Sequence, residues 1–287
     1  MTLYEKGLLR LEDQVFGKGG ILEGEFGTNV LSGVDDITVK HLLQHTGGWK
    51  NDPIYITAST TLEQRIASQI TSTPLAYNPG TTFDYSNFGF CVLGKIIEKL
   101  SGKDYETFLK EEIHAKAGGI KNILVGRNTR GGRYSNECEY YGQGGKDAYG
   151  NDVELSKAAG GMIASTEELM RLMSYIDYGT KVPDILKKET LDLMYTPLEK
   201  GTVDEYGKPY IKYALGWRTE YTDSHPDWEA FHGGTLAGVA TIWARNSRNV
   251  NGVILCNSRS YDMNIDSEMW NILENIQDLF QPAATAD

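Results

Sequence analysis

The order of elements along the chain predicts an α+β fold: helices first, an antiparallel sheet after them, and one closing helix. Three observations carry this. Apolar residues recur at helical spacing through Phe88, Val92, Leu93, Ile96, Ile97 and Leu100, and Ser101-Gly102 ends the run. After Pro197 the chain turns to β-rich runs at 213–221, 228–232, 239–244 and 253–256, separated by turn residues. Residues 264–280 return to helical spacing, with Ile265, Met269, Ile272, Ile276 and Phe280 at the periodic positions.

The elements follow in order. Leu3-Tyr4-Glu5-Lys6 reads as the tail of a helix ended by Gly7, which leads to the expectation that a segment precedes it. Residues 17–36 are glycine-rich and irregular. Asp35-Asp36 then precede a short helix over 37–45, placing acid at its positive end, and Thr46-Gly47-Gly48 stops it. Leu62, Ile66 and Ile70 mark an amphipathic helix over 60–73. Pro79-Gly80 makes a turn and a polar loop follows, so Tyr85-Ser86-Asn87 stands at the mouth of the long helix with side chains free to face a cleft.

Beyond that, residues 103–113 form a helix, and 126–149, rich in Gly, Tyr and Asn, form a surface insertion that borders the cleft. In Ala159-Gly160-Gly161-Met162 the glycines allow close backbone approach, and Ser165 with Glu168 reads as a capping box for the helix carrying Met170, Leu172, Met173 and Ile176. Residues 183–194 give one more short helix, and 247–252 a hairpin connection. No repeat or low-complexity linker divides the chain. It reads as one domain over 1–287, a helical lobe at about 1–197 and a sheet with its terminal helix at about 198–282.

Composition narrows the function classes. The 287 residues are 40% hydrophobic and carry a net charge of −11, and the basic residues form no cluster. That balance argues against a nucleic-acid partner and against an anionic membrane surface. No run is long enough to span a bilayer, and no leader is visible; an export signal would have to lie upstream, so the compartment stays open. Cys91, Cys138 and Cys256 have neither disulfide-framework nor metal-ligand spacing. His41 and His45 are four apart, but a zinc-binding His-Glu-x-x-His helix needs Glu where Leu42 stands. Neither a metal nor a cofactor is expected, and His45 is expected to tie down the following turn through its ring nitrogens.

Three segments now stand in sequence: Leu42-Leu43-Gln44-His45-Thr46-Gly47-Gly48, Tyr85-Ser86-Asn87, and Phe231-His232-Gly233-Gly234-Thr235 ahead of an antiparallel pair. With Ala159-Gly160-Gly161-Met162, they resemble the serine β-lactamase-related family, which includes class C β-lactamases, D-alanyl-D-alanine peptidases and β-lactamase-like esterases. The resemblance runs from about residue 3 to about residue 280. It implies a β-lactamase/transpeptidase-like fold and an acyl-serine hydrolase acting on an ester, amide or lactam. Position by position, it implies Tyr85 as proton carrier, Asn87 as amide clamp, His232, Gly233 and Gly234 as the opposite wall, and the Thr235 N–H as oxyanion donor. His232 in place of the family's lysine favours esterase or peptidase chemistry over a strong β-lactamase.

One departure is large. The family's nucleophile comes from a Ser-x-x-Lys helix, because a serine hydroxyl needs a base beside it. Here no serine is followed three residues later by lysine. The expectation is therefore a chain truncated before that motif, lacking the first strands and the nucleophile helix. The alternative is a non-catalytic scaffold or ligand-binding relative of the same fold. Truncation would leave an apolar groove along the Tyr85 helix and the 37–45 helix, an open sheet edge, and a tendency to self-associate. Without the lysine, no lowering of the Tyr85 pKa is expected unless another cation approaches.

Overall fold

Capping side chains set the helix starts in the first half of the chain. The computed structural model describes residues 1–50, 52, 54, 60–179, 181–198, 201–210, 212–219, 228–246, 250–260 and 264–277. Helices α1 (Thr2–Glu5) and α2 (Glu23–Phe26) are single turns. Helix α3 (Val39–Leu43) begins at Thr38, whose hydroxyl accepts the His41 N–H while His41 Nδ1 accepts the Thr38 N–H. This is a reciprocal box with histidine in the usual place of Glu or Gln. Asp35 and Asp36 do not load that helix end; they lie in their own 3₁₀ turn, Val34–Asp36. Thr61 and Gln64 form the same kind of box at the start of α4 (Leu62–Ser72).

After β1 (Thr82–Phe83), α5 (Asn87–Ser101) starts where Ser86 Oγ accepts the Gly89 N–H, and ends at Gly102 in the left-handed region. Helix α6 (Tyr105–Leu109) continues into a wider turn over Lys110–His114. Strand β2 (Leu124–Val125) pairs antiparallel with β3 (Met162–Ile163). Then come α7 (Thr166–Met173), α8 (Lys188–Tyr195) and β4 (Val203–Asp204), which runs parallel to β1. The sheet follows, β5 (Trp228–Leu236), β6 (Val239–Asn246) and β7 (Asn251–Cys256), antiparallel in the order β5-β6-β7, and α9 (Ile265–Gln277) closes the described chain.

Two clusters hold these layers. Leu3, Val39, Leu42, Ile66, Ile70, Phe88, Val92, Ile96, Met173 and Leu191 are buried together in the helical lobe. Each such side chain contributes ~1.5–3 kcal/mol on leaving water. On β6, Ala240, Ile242 and Ala244 alternate inward and pack against Met269 and Leu273 of α9. Helix α5 lies so close to the 157–158 segment that a Cβ on Gly94 would sit 2.6 Å from Ala158 Cβ. Lys157 Nζ reaches Glu98 at 2.9 Å beside that contact, which seats the helix against the loop.

Several expectations need correction. The expected apolar groove is not seen at Val39, Leu42, Phe88, Val92 and Ile96 of α3 and α5, which are all buried, while Leu93, Ile97 and Leu100 are half-buried; nothing in these helices supports self-association. Ser165 caps the Glu168 N–H, but the box does not close. Glu168 is buried and its carboxylate instead accepts from the Lys121 and Asn122 amides at 2.9 and 2.7 Å. In the run begun at Tyr213 the described residues make single bridges, Tyr213 to Arg218 and Arg218 to Phe231, rather than a strand; 220 and 221 lie outside the described residues. Residues 247–249 of the 247–252 connection and the end of the last helix, with Phe280, lie outside them too. Strands β1 to β4, two residues each, are too short to leave a periodic signature. Strand β7 has β6 as its one strand neighbour among the described residues. No described helix is long and apolar enough to cross a membrane.

Candidate active site

The site is built where α3, the mouth of α5 and strand β5 converge. The chain leaves α3 through Gln44, and His45 takes φ 56, a left-handed conformation that costs a non-glycine residue energy and persists where surroundings hold it. They do. The His45 carbonyl accepts the Asp84 N–H at 2.9 Å, and its Nδ1 accepts the Ser86 N–H at 3.0 Å. Its Nε2 lies 2.9 Å from Tyr213 Oη. His45 thus ties the end of α3 to the Tyr85 segment and to Tyr213 through its ring, rather than the following turn expected from its position.

Tyr85 stands between the two histidines. Its ring centroid is 4.2 Å from that of His45 and 6.2 Å from that of His232 on β5. The Arg218 guanidinium carbon lies 5.9 Å from the centre of the Tyr85 ring. Burial pushes the phenol pKa up and Asp52 adds to the rise, while Arg218 pulls it down. Burial prevails, so the phenol is neutral. Arg218 is the approaching cation, and it pairs with no carboxylate among the described residues.

Asn87 is the first residue of α5, and its amide is engaged. Asp52 Oδ2 accepts the Asn87 N–H at 2.6 Å and Asn87 Nδ2 at 3.2 Å, while Asp52 Oδ1 accepts the Phe88 N–H at 3.1 Å. A carboxylate at a helix N-terminus is favoured by the unsatisfied amides and the dipole. The Asn87 side chain is thereby oriented, nitrogen toward Asp52, with Oδ1 left as its free acceptor.

On the opposite wall, His232 pairs in register with Trp243, Gly233 with Ile242, Gly234 with Thr241, and Thr235 with Ala240. A Cβ at Gly234 would stand 2.7 Å from Thr241 Oγ1, so only glycine fits there without a shift. Thr235 is exposed one residue before the end of β5. The structure thus brings Tyr85 and His232 together and places Gly233, Gly234 and Thr235 directly beyond. No hydrogen bond joins Asn87 to the β5 wall among the described residues. The rings of His41 and His45 bond to different partners: His41 caps α3, and His45 faces Ser86 and Tyr213.

Sequence reasoning missed Tyr213, Arg218, Asp52 and Asp84. Asp84 lines a small cleft with His41, His45, Trp49 and Ser86. Its Oδ2 is buried with no hydrogen-bond partner among the described residues. Desolvation raises its pKa to about 6, Glu205 and Asp52 adding to the rise against Lys50. The Tyr213-Ala-Leu-Gly-Trp217 run carried a signal, its aromatic ends, but strand propensity alone placed it in a sheet.

A helical lobe set against an antiparallel sheet, with Tyr-x-Asn at a helix mouth facing His-Gly-Gly-Thr on the edge strand, defines the β-lactamase/transpeptidase-like fold. The chain belongs to the Beta-lactamase family, whose model matches residues 1–274. It is similar to the mitochondrial serine beta-lactamase-like protein LACTB of Mus musculus, 26% identical over 161 residues, which are 50% of this chain and 28% of that protein. Among solved structures it is similar to the beta-lactamase/D-alanine carboxypeptidase of Yersinia pestis (TM-score 0.72, 17% identity, covering 97% of this chain and 79% of that one). The D-amino acid amidase of Ochrobactrum anthropi SV3 is similar as well (TM-score 0.71, 21% identity, covering 97% and 80%). These structural likenesses fix the fold: a Beta-lactamase-family hydrolase fold with carboxypeptidase and amidase neighbours.

Proposed function

We propose that this chain forms two walls of a serine hydrolase that passes an acyl group to water through an acyl-serine. The nucleophile and its lysine come from a Ser-x-x-Lys segment outside residues 1–287. The observation that carries the reading is the approach of Tyr85 to His232 across the helix mouth and β5, with their ring centroids 6.2 Å apart. In the first half-reaction the serine oxygen attacks the acyl carbon and its proton passes to the lysine. Tyr85, a neutral phenol, hands a proton to the departing oxygen or nitrogen as the acyl bond breaks, and is reprotonated from the lysine. Water then repeats the attack on the acyl-serine and releases the acid. The Thr235 N–H stabilises the oxyanion, Asn87 Oδ1 accepts a substrate N–H, and Gly233 and Gly234 let the substrate backbone approach β5.

Arg218 gives the substrate class a further feature. A half-buried guanidinium over the Tyr85 ring, without a carboxylate partner among the described residues, suits a substrate bearing a carboxylate next to the scissile bond. That feature and the carboxypeptidase neighbour favour a peptide with a free terminal carboxylate over a neutral ester or an amino-acid amide. The test is labelling with a fluorophosphonate, on the 287-residue chain and on the same chain joined to a Ser-x-x-Lys segment. The proposal expects a serine adduct on the joined form and none on residues 1–287. An adduct on a serine within residues 1–287 contradicts the assignment of the nucleophile. No adduct on either form favours the scaffold reading.

A further inference from the structure

The buried contacts behind Tyr85 form a chain with a fixed direction. One end is a backbone amide, which only donates: the Ser86 N–H reaches His45 Nδ1 at 3.0 Å. The other end is a carbonyl, which only accepts: His232 Nδ1 lies 2.8 Å from Gly233 O. Between them, Tyr213 Oη is 2.9 Å from His45 Nε2 and 3.0 Å from His232 Nε2. His45 Nδ1 carries no proton if it accepts from Ser86, so the His45 proton is on Nε2 and points at Tyr213 Oη. The Tyr213 proton then turns to His232 Nε2, which is an acceptor, and the His232 proton is on Nδ1, facing Gly233 O. The opposite tautomer of His232 would aim two N–H groups at one phenol oxygen and set a lone pair against a carbonyl.

We infer that His45 and Tyr213 are positioning residues that hold His232 as the neutral Nδ1–H tautomer, tying the mouth of the Tyr85 helix to strand β5 through one directed hydrogen-bond chain. This rests on the reading of His232 as a wall of the reaction cleft. It changes what that wall does. Both ring nitrogens of His232 are satisfied inside the protein, so His232 offers the substrate no charge and no free N–H; it is a fixed neutral surface beside Tyr85. Sequence order gives no hint of this, since the participants lie 41, 168 and 19 residues apart.

The surroundings keep the chain neutral. Tyr213 is fully buried and His45 is 2% exposed, and the rings of Phe83, Tyr85 and Phe90 close round His45. The charged and titratable groups facing the chain are Arg218, Tyr85 and Tyr210. Burial, with the repulsion of Arg218, holds both imidazoles below the ordinary histidine range, and burial raises the Tyr213 phenol. Protonating His232 would strand the Tyr213 proton in a buried site, so the three groups resist charge together.

Imidazole ¹⁵N NMR of the whole chain tests this without any turnover, and the five histidines of the sequence keep the spectrum simple. The expected result is a neutral Nε2–H pattern for His45, a neutral Nδ1–H pattern for His232, and no titration step for either between about pH 6 and 8, where a free imidazole would titrate near ~6.5. Tyr213→Phe keeps the ring and removes both bonds. In it the His232 Nε2 resonance should move and its midpoint should climb toward the ordinary value, while His45→Gln, which keeps a side-chain N–H near Tyr213, should leave His232 closer to wild type. An Nε2–H pattern for wild-type His232, or an ordinary titration near ~6.5, overturns the inference. So does a folded Tyr213→Phe protein with an unchanged His232 spectrum. If the tautomers are as stated but no serine is labelled in either form, the hydrolase reading fails and the chain of bonds stands.

Discussion

Asp52 Oδ2 accepts the backbone N–H of Asn87 at 2.6 Å, and the same carboxylate takes the Asn87 side-chain amide and the Phe88 N–H. One loop carboxylate therefore caps the 15-residue helix α5 and orients the candidate clamp residue. Asp52→Ala should destabilise the protein by about 2 kcal/mol, as expected for losing a charged helix cap. Asp52→Asn, which retains one acceptor oxygen, should cost about half as much. Urea unfolding of the three proteins measures both. Equal midpoints would mean that the carboxylate does not hold the helix.

Asp84 sets a pH dependence. Its pKa is about 6 in the folded protein, above the usual carboxylate value of about 4 in the unfolded chain. The folded state therefore binds this proton more tightly, so the Asp84 contribution favours folding at low pH and declines as pH rises from about 4 to about 6, levelling off above. Discounted for the solvent reaching this partly exposed group, the effect is on the order of 1 kcal/mol. Asp84→Asn removes the decline, so the variant should gain stability over wild type at pH 7.5 and lose that advantage at pH 4. Parallel stability curves across this range would show that Asp84 is solvated normally.

Arg218 is predicted to recognise a carboxylate. Arg218→Gln keeps length and polarity and removes the charge. Its affinity for a D-alanyl-D-alanine dipeptide with a free carboxylate should fall about three- to tenfold, whereas affinity for the corresponding C-terminal amide should change little, as expected for a partly exposed charged hydrogen bond. Calorimetric titration of both ligands separates the outcomes. Equal losses for acid and amide would make Arg218 a packing residue.

The helices and the sheet were legible because each rests on local chemistry. The 3.6-residue spacing from Phe88 to Leu100 gave α5, and Pro79-Gly80 with Ser86 gave its start. Tyr85, Asn87 and His232 were singled out because they lie in short motifs. What pairs with them was not legible. Asp52, Tyr213 and Arg218 reach the site from irregular segments, where no periodicity marks a residue's direction. The capping role of His41 was hidden because the usual box places Glu or Gln there. The expected apolar groove is not seen for a related reason: Val39, Leu42, Phe88, Val92 and Ile96 are buried in one cluster with Ile66 and Ile70 of α4.

Tyr85 carries the central claim, the proposed proton transfer to the leaving group, and steady-state kinetics of Tyr85→Phe in the chain joined to a Ser-x-x-Lys segment test it most directly. The substitution keeps the ring that packs on His45, so folding should change little. Turnover of an amide or ester substrate should fall by roughly 10²- to 10⁴-fold with a much smaller change in KM, the usual worth of a general acid–base group acting in the transition state. Turnover within a factor of about three of wild type would contradict the account and remove Tyr85 from the mechanism.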